Sequence, residues 1–198
     1  MDLSYKNINL FPVPIHQFDV NGFSEIQNEL IDYAYDLKNK EPEGVIISNQ
    51  GGWQSSDFSV NNEYDPLHSF LINCLAGFPV IQESFNIKID AWVNINKPGD
   101  CNIKHNHPGS DLAGVLWIKC SENCGEIVFD PPTAFQSHNE INSYTDEFKK
   151  SFNIDYTYYG SPSEGIMLVF PTHLQHLVGE NKSNEDRISV SFNIRLIK

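Results

Sequence analysis

Cys101-Asn102-Ile103-Lys104-His105-Asn106-His107-Pro108-Gly109-Ser110 places two imidazoles two residues apart, just before a Pro-Gly turn. On an extended strand residues i and i+2 point to the same face, so His105 and His107 can converge on one atom. The simplest such atom is a metal ion. A third imidazole, His176, closes the later run Phe170-Pro171-Thr172-His173-Leu174-Gln175-His176. Arg187-Ile188-Ser189 follows eleven residues after it. Arg187 and Ser189 point the same way on a strand and can hold a carboxylate together. The planar guanidinium suits a bidentate grip, and the hydroxyl adds one hydrogen bond. Three ligands on one face of an octahedral ion leave up to three positions for a chelating cosubstrate and oxygen. The usual iron version carries two His and one carboxylate. Here the third ligand is open between His107 and an acid such as Asp111.

Strands must position these groups. From residue 86 the hydrophobic period is two: Ile87, Ile89, Ala91, Val93 and Ile95 alternate with Lys88, Asp90, Trp92, Asn94 and Asn96. The first face needs a packing layer; the second suits either a lined cavity or solvent. Residues 187–197 alternate as well, with Ile188, Val190, Phe192, Ile194 and Leu196 on one face and Arg187, Ser189, Ser191 and Asn193 on the other. Further strands are expected at 113–119, 126–129, 152–159, 165–170 and 175–179. About eight strands with hairpin-length turns suit a barrel or jelly roll rather than a βαβ fold.

The stretch before them reads differently. Leu10-Phe11-Pro12-Val13-Pro14-Ile15 is a proline-interrupted edge strand or entry segment. A helix is expected from 24 to about 40, opened by a Ser24/Gln27 capping box and carrying Ile26, Leu30, Tyr33, Ala34 and Leu37 as its apolar stripe. Residues 45–58 are loop and strand, with Trp53 in the core. Asp65-Pro66 opens a second helix carrying Leu67, Phe70, Leu71, Cys74 and Leu75, which can run in two pieces through Gly77 and Pro79. Residues 133–147 are a polar, irregular excursion. His16, His68 and His138 take structural or surface roles. The expected organisation is a single domain over 1–198, with helical support at about 22–84 and a barrel core at about 86–197.

The 198 residues suffice for one sizeable core, and 40% of them are hydrophobic. A net charge of -13 argues against a nucleic-acid backbone as partner. Met1-Asp2-Leu3-Ser4 lacks the opening of a secretory signal, and no run reaches membrane-spanning length. Cys74, Cys101, Cys120 and Cys124 are therefore expected as reduced thiols in the cytoplasm. Cys120 and Cys124 fit a turn between strands better than a metal site. No glycine-rich nucleotide loop appears.

Several of these pieces resemble the 2-oxoglutarate/Fe(II) oxygenases of the double-stranded β-helix superfamily, and among them small bacterial and phage members. They are Leu10-Phe11-Pro12-Val13-Pro14-Ile15, Gly51-Gly52-Trp53-Gln54-Ser55, Ala91-Trp92-Val93-Asn94 and His105-Asn106-His107-Pro108. Gly125-Glu126-Ile127-Val128-Phe129, the run from Phe170 to His176, and Arg187-Ile188-Ser189-Val190-Ser191-Phe192-Asn193 continue the series. The resemblance implies a mainly β fold with flanking helices, a double-stranded β-helix of the jelly-roll, cupin-like kind. It implies Fe(II) as the metal and 2-oxoglutarate as cosubstrate. His105, His107 and His176 match the iron positions, with His107 where the family carries a carboxylate. Arg187 and Ser189 match the residues that hold the far carboxylate of 2-oxoglutarate. Trp92, Asn94, Trp117 and Asn193 are implied as pocket lining. The implied activity hydroxylates a C–H bond of a further substrate, releasing succinate and carbon dioxide.

Two other functions compete. A three-histidine cupin-type dioxygenase without 2-oxoglutarate explains His107 better and Arg187-Ser189 worse. A non-enzymatic cupin-like binding or structural module explains the strands but leaves the histidines accidental. The expected partners are the small-molecule cosubstrate and a primary substrate, with neither membrane nor nucleic acid; a homodimer is the assembly considered.

Overall fold

Arg187–Ile197 is the longest-paired strand of the protein, and its alternation sets the architecture. The computed structural model describes residues 4, 6, 8, 11–59, 66–76, 78, 84–133, 139–152 and 154–198. Within them lie β1 (His16–Asp19), α1 (Phe23–Lys40), β2 (Asn49–Gln50), β3 (Trp53–Gln54), β4 (Phe58–Ser59) and α2 (Pro66–Ala76). Then come β5 (Asn86–Asn96), β6 (Cys101–His105), β7 (Leu112–Lys119), β8 (Ile127–Phe129), a 3-10 turn (Ile141–Ser143) and α3 (Asp146–Phe152). The chain ends with β9 (Tyr158–Gly160), β10 (Ile166–Pro171), β11 (His176–Val178) and β12 (Arg187–Ile197). A major sheet runs β1-β10-β7-β12-β5-β3, with β4 also on β5, and a minor sheet runs β2-β6-β11-β8-β9. Among the described residues every strand pair is antiparallel. This is the jelly-roll arrangement of the double-stranded β-helix.

The two faces of the major sheet have different jobs. Ile188, Val190, Phe192 and Ile194 pack with Ile89, Ala91, Val93 and Ile95 into a core that also takes Leu30 and Ala34 of α1 and Leu67, Leu71 and Leu75 of α2. Fully burying one such side chain is worth about 1.5–3 kcal/mol, so this face drives the helices onto the sheet. The opposite face carries Trp92, Asn94 and Asn96 on β5 and Arg187 and Ser189 on β12, all buried. It looks toward the minor sheet, not into solvent. A second apolar cluster, including Trp117, Ile127, Phe129, Leu168 and Phe170, fills the rest of the space between the sheets.

Several expectations change. The segment 11–15 forms no strand; β1 begins at His16 and edges the major sheet beside β10, where its ring meets Phe78 edge-on at 5.0 Å. The Ser24/Gln27 capping box does not form: Gly22, left-handed at φ 76, is the N-cap, and no side chain caps it. Gln27 is used elsewhere. Against β12, β7 carries one extra residue, since Ile188 pairs Lys119 and Ser189 pairs Trp117. The skipped residue is Ile118, and its carbonyl accepts a hydrogen bond from Gln27 Nε2 at 2.9 Å. A capping amide has thus become a bridge from helix to bulge. The expected strand over 152–159 is shorter, because α3 occupies residues up to Phe152 and β9 starts at Tyr158. The start of the proline-rich segment at Leu10, the cap Asp65, the continuation through Gly77 and Pro79, and His138 lie outside the described residues, as does the side chain of His68. Among the described residues no helix is long and apolar enough to cross a membrane.

Candidate active site

β6 and β11 deliver the histidines. His105 closes β6, His176 opens β11, and the two are paired across the ladder. From Val178 to His176 β11 advances two residues, while β6 advances three from Asn102 to His105. That bulge reverses the facing of His105. Asn102 and His105 both line the cleft between the sheets, whereas Ile103 and Lys104 are exposed. Re-aiming a side chain is a common use of a bulge beside a site. His107 arrives by another route. It lies past the end of β6, not on the same strand as His105, because Pro108 cannot donate to a ladder and Gly109 turns at φ 91. The loop is fixed instead by His107 N–H donating to the Thr172 carbonyl (3.1 Å) and Thr172 Oγ1 donating to the Ser110 carbonyl (2.9 Å).

The three rings meet. Centroid separations are 5.0 Å for His105–His107, 4.4 Å for His105–His176 and 5.1 Å for His107–His176. One nitrogen from each lies within 4.8 Å of the others. The tautomers follow from the backbone. His105 Nδ1 is 2.7 Å from the Ile103 carbonyl and His176 Nδ1 is 3.0 Å from the Leu174 carbonyl. A carbonyl only accepts, so both Nδ1 atoms carry the hydrogen and both Nε2 lone pairs are free. His107 Nε2 and His176 Nε2 are 3.3 Å apart. An ion about 2.1 Å from each of two imidazoles at right angles needs a separation of about 3 Å, so the donor set fits a divalent metal. Asp111 is not part of it: its carboxylate accepts from Leu196 N–H at 2.8 Å.

The surroundings keep these rings neutral, the form that ligates. Burial pushes His107 down to about 3, with His176 and His105 adding to the effect. His176 falls to about 4, again through burial, opposed by its bond to Leu174. His105 is lowered by burial against its bond to Ile103. Trp92 stacks on His107 at 5.8 Å, and Phe170 meets His176 edge-on at 4.9 Å.

Arg187 lines the same cleft, as do Asn94, Trp117, Ser189 and Ser191. The residue is only 1% exposed. Nη1 donates to the Cys124 carbonyl and, at 3.3 Å each, to the carbonyls of Gly125 and Gly179. No carboxylate neutralises it among those partners. Asp100 and the thiols of Cys101, Cys120 and Cys124 act on it through space, so its charge is offset without a direct ion pair, in the cleft that the three histidines also line. Asn94, opposite Ser189 in the register, donates from Nδ2 to Ser191 Oγ at 3.0 Å. Its Oδ1 is buried without a hydrogen-bond partner. Asn193 shares this face of β12 but lies beyond the lining residues, paired with Asp90 and Ala113.

Sequence reasoning missed the groups that hold Arg187. Gly125 has φ 98, and a Cβ there would come within 2.5 Å of Arg187 Nη1 and also collide with the Gly179 carbonyl. Asn181 is fully buried. Its Nδ2 donates to the carbonyls of Asn96 (2.9 Å) and Glu185 (2.8 Å), while Ser183 Oγ donates to its Oδ1 (2.7 Å). It joins the end of β5 to the turn before β12. The signal was the Asn181-Lys182-Ser183 spacing, which suits an Asx turn.

Comparison with known proteins agrees with this geometry. A family model described as "Putative 2OG-Fe(II) oxygenase" matches residues 90–193. The chain belongs to that family, and so is an oxygenase that depends on 2-oxoglutarate and iron(II). No curated protein sequence matches the chain. Among solved structures it is similar to a prolyl-4-hydroxylase from Pseudomonas putida, with TM-score 0.60, 11% identity and 92% of each chain covered. It is similar to a prolyl hydroxylase from Trichoplax adhaerens, solved with a hypoxia inducible factor peptide, with TM-score 0.61, 11% identity and coverage of 91% of this chain and 83% of that one. HygX from Streptomyces hygroscopicus, solved with nickel, 2-oxoglutarate and hygromycin B, gives TM-score 0.61 and 11% identity over 92% of this chain and 83% of that one. At these identities the likeness is one of fold.

Proposed function

We propose that His105, His107 and His176 hold the iron and that Arg187 with Ser189 holds the far carboxylate of 2-oxoglutarate. The observation that carries this is a three-histidine cluster, with Nε2 free on His105 and His176, in one cleft with a buried guanidinium whose hydrogen bonds all go to main-chain carbonyls. Iron(II) bound there supplies the redox chemistry by which oxygen, 2-oxoglutarate and a C–H bond become succinate, carbon dioxide and an alcohol. The chain's own residues bind and orient. Ile103 and Leu174 carbonyls fix two ring tautomers, and this raises ligand basicity. Arg187 offers charge and Ser189 one hydroxyl to the cosubstrate. Asn94 is placed to line the cosubstrate's path, and Asn193 stands further out on the same face. Trp92 and His107 form the wall on which a primary substrate would arrive.

The wider reading is of one unit, in which the segment at about 22–84 supports the barrel at 86–197; β3 and β4 on β5 support it. A cytoplasmic setting, with small-molecule partners, is supported by the free thiols.

Succinate measured against 2-oxoglutarate consumed, with iron(II) present, tests the assignment. The wild type should form one succinate for each 2-oxoglutarate consumed, and His176→Ala should form none. Arg187→Ala should raise the KM for 2-oxoglutarate roughly 10- to 100-fold, the worth of a charged hydrogen bond. Turnover without 2-oxoglutarate, or an unchanged KM in Arg187→Ala, overturns it.

A further inference from the structure

The turn whose carbonyls hold Arg187 also carries two thiols that the oxygenase chemistry does not use. Cys120 follows β7 and Cys124 precedes Gly125. The chain folds back between them through Cys124 N–H donating to the Ser121 carbonyl (3.3 Å), with Asn123 left-handed at φ 63. The turn brings the two side chains into electrostatic contact, and both cysteines are free. Their surroundings differ: Glu164 acts on Cys120, and Arg187 acts on both. Cys120 faces Glu164, whose Oε1 accepts the Cys120 main-chain N–H at 3.0 Å. Cys124 lies against Arg187, whose Nη1 donates to the Cys124 carbonyl. These surroundings favour negative charge on the Cys124 sulfur over the Cys120 sulfur. The Cys124 thiol is lowered to about 6, first by hydrogen bonding with Cys120 and further by Arg187, against the opposing effect of burial. The Cys120 thiol is raised, first by the same bond and then by burial. One activated sulfur beside one protonated sulfur is the arrangement of an attacking and a resolving cysteine.

We propose that Cys120 and Cys124 form a reversible intramolecular disulfide, with hydrogen peroxide as oxidant and Cys124 as the sulfur that reacts first. The Cys124 thiolate attacks one peroxide oxygen; the S–O bond forms, the O–O bond breaks, and hydroxide leaves. Cys120 then attacks the resulting sulfenic sulfur; the S–S bond forms, and its thiol proton leaves with the sulfenic hydroxyl as water. Two electrons pass from the sulfurs to the peroxide, and a dithiol returns them. Cys124 is 2% exposed while Cys120 is half-buried, so a small oxidant is favoured over a bulky disulfide at the first step. One consequence rests on the reading of Arg187 given above. Closing the ring draws in the turn whose Cys124 and Gly125 carbonyls hold Nη1, so oxidation weakens the grip on 2-oxoglutarate.

The full chain, metal-loaded, is treated with hydrogen peroxide, quenched, alkylated and digested with trypsin. Cleavage after Lys119 and Lys149 leaves both cysteines in one peptide, 120–149. In the wild type that peptide should lose two hydrogens, escape alkylation and recover both properties with dithiothreitol. Cys120→Ser should trap a dimedone-reactive sulfenic acid on Cys124, and Cys124→Ser should leave Cys120 alkylatable. Full alkylation of the wild type, a bond between two chains, or dimedone labelling on Cys120 in Cys124→Ser but never on Cys124 overturns the proposal. Oxidised wild type should bind 2-oxoglutarate roughly 10-fold more weakly than reduced, the loss of about one hydrogen bond to a charge. A disulfide that leaves this affinity unchanged overturns the link to Arg187. Arg187→Ala that binds 2-oxoglutarate as wild type does overturns the reading of Arg187 alone, since the mass of peptide 120–149 does not depend on it.

Discussion

In the proposed assignment His107 stands where a carboxylate would neutralise one charge of the iron. With three neutral imidazoles the full ionic charge would be left for the bound cosubstrate to meet, and Arg187 would draw the other end of that same molecule. The cosubstrate's two negative ends would then be recruited by two positive centres in one cleft. This makes a sharp prediction for substitutions at 107. His107→Asp restores the two-histidine, one-carboxylate set and should keep stoichiometric metal after dialysis, measured by elemental analysis. His107→Ala should lose affinity by more than the roughly 10- to 100-fold that removing an outer partner costs. Equal metal content in both variants would mean that His107 stands beside the metal without binding it.

At the scale of elements, two bulges and one turn decide where these side chains point. A strict period of two places His105 on the wrong face; only the extra residue in β6 brings it into the cleft. Alternation along β5 and β12 was legible in the sequence because both strands run unbroken and both lie between layers. The bulges were not legible, since they depend on the register of strands far apart in the chain. The capping residue of α1 was misread for a related reason: Gln27 satisfies Ile118, a carbonyl freed by a bulge in another strand. That the three histidines and Arg187 would share one cleft was legible because metal and carboxylate chemistry draw attention to those residue types. Gly125 and Asn181 were not, because Gly125 acts only through the packing of Arg187 and Asn181 only through main-chain carbonyls that the fold brings to it. Gly125→Ala should expose that dependence. Its Cβ meets Nη1 and its φ of 98 disfavours any side chain, so the guanidinium must shift. The KM for 2-oxoglutarate should rise while metal content is unchanged. The helix is tied to the same region by Tyr35 Oη, which donates to Asp186 Oδ2 at 2.9 Å, next to Arg187. Burial, then Asp186, raises the Tyr35 phenol to about 12. Since the folded value lies above the ordinary 10, this contribution to stability is present below pH 10 and is lost as pH rises through 12. Ultraviolet titration should show one late phenol that Tyr35→Phe removes, and the variant should lose about 0.5–1.5 kcal/mol of stability near neutrality.

For the whole molecule, the cleft concentrates polar and titratable groups between two sheets that are otherwise held by apolar packing. Three imidazoles kept neutral by burial make the metal-free fold sensitive to acid. The unfolded chain takes up protons near the ordinary value of 6.5, whereas folded His176 and His107 wait until about 4 and about 3. A lowered histidine pKa gives stability that is present above the ordinary value and is lost as pH falls through this window. Every tenfold difference in proton affinity is worth about 1.4 kcal/mol, so the metal-free protein should melt at steadily lower temperature from pH 7 to pH 4. A bound metal works in the opposite direction at neutral pH. It binds the folded state, so a hundredfold excess over its Kd adds about 2.7 kcal/mol. For a chain of this size that is a rise in Tm of roughly 5–10 °C. Scanning calorimetry with iron(II) under argon, or with nickel(II) in air, against a chelated control should show this rise at pH 7. The rise should shrink toward pH 5, where protons compete for the same nitrogens. His176→Ala should abolish the metal-dependent rise and also weaken the acid sensitivity of the metal-free protein. If the variant keeps the metal-dependent rise, the stabilising ion is bound elsewhere than at the three histidines.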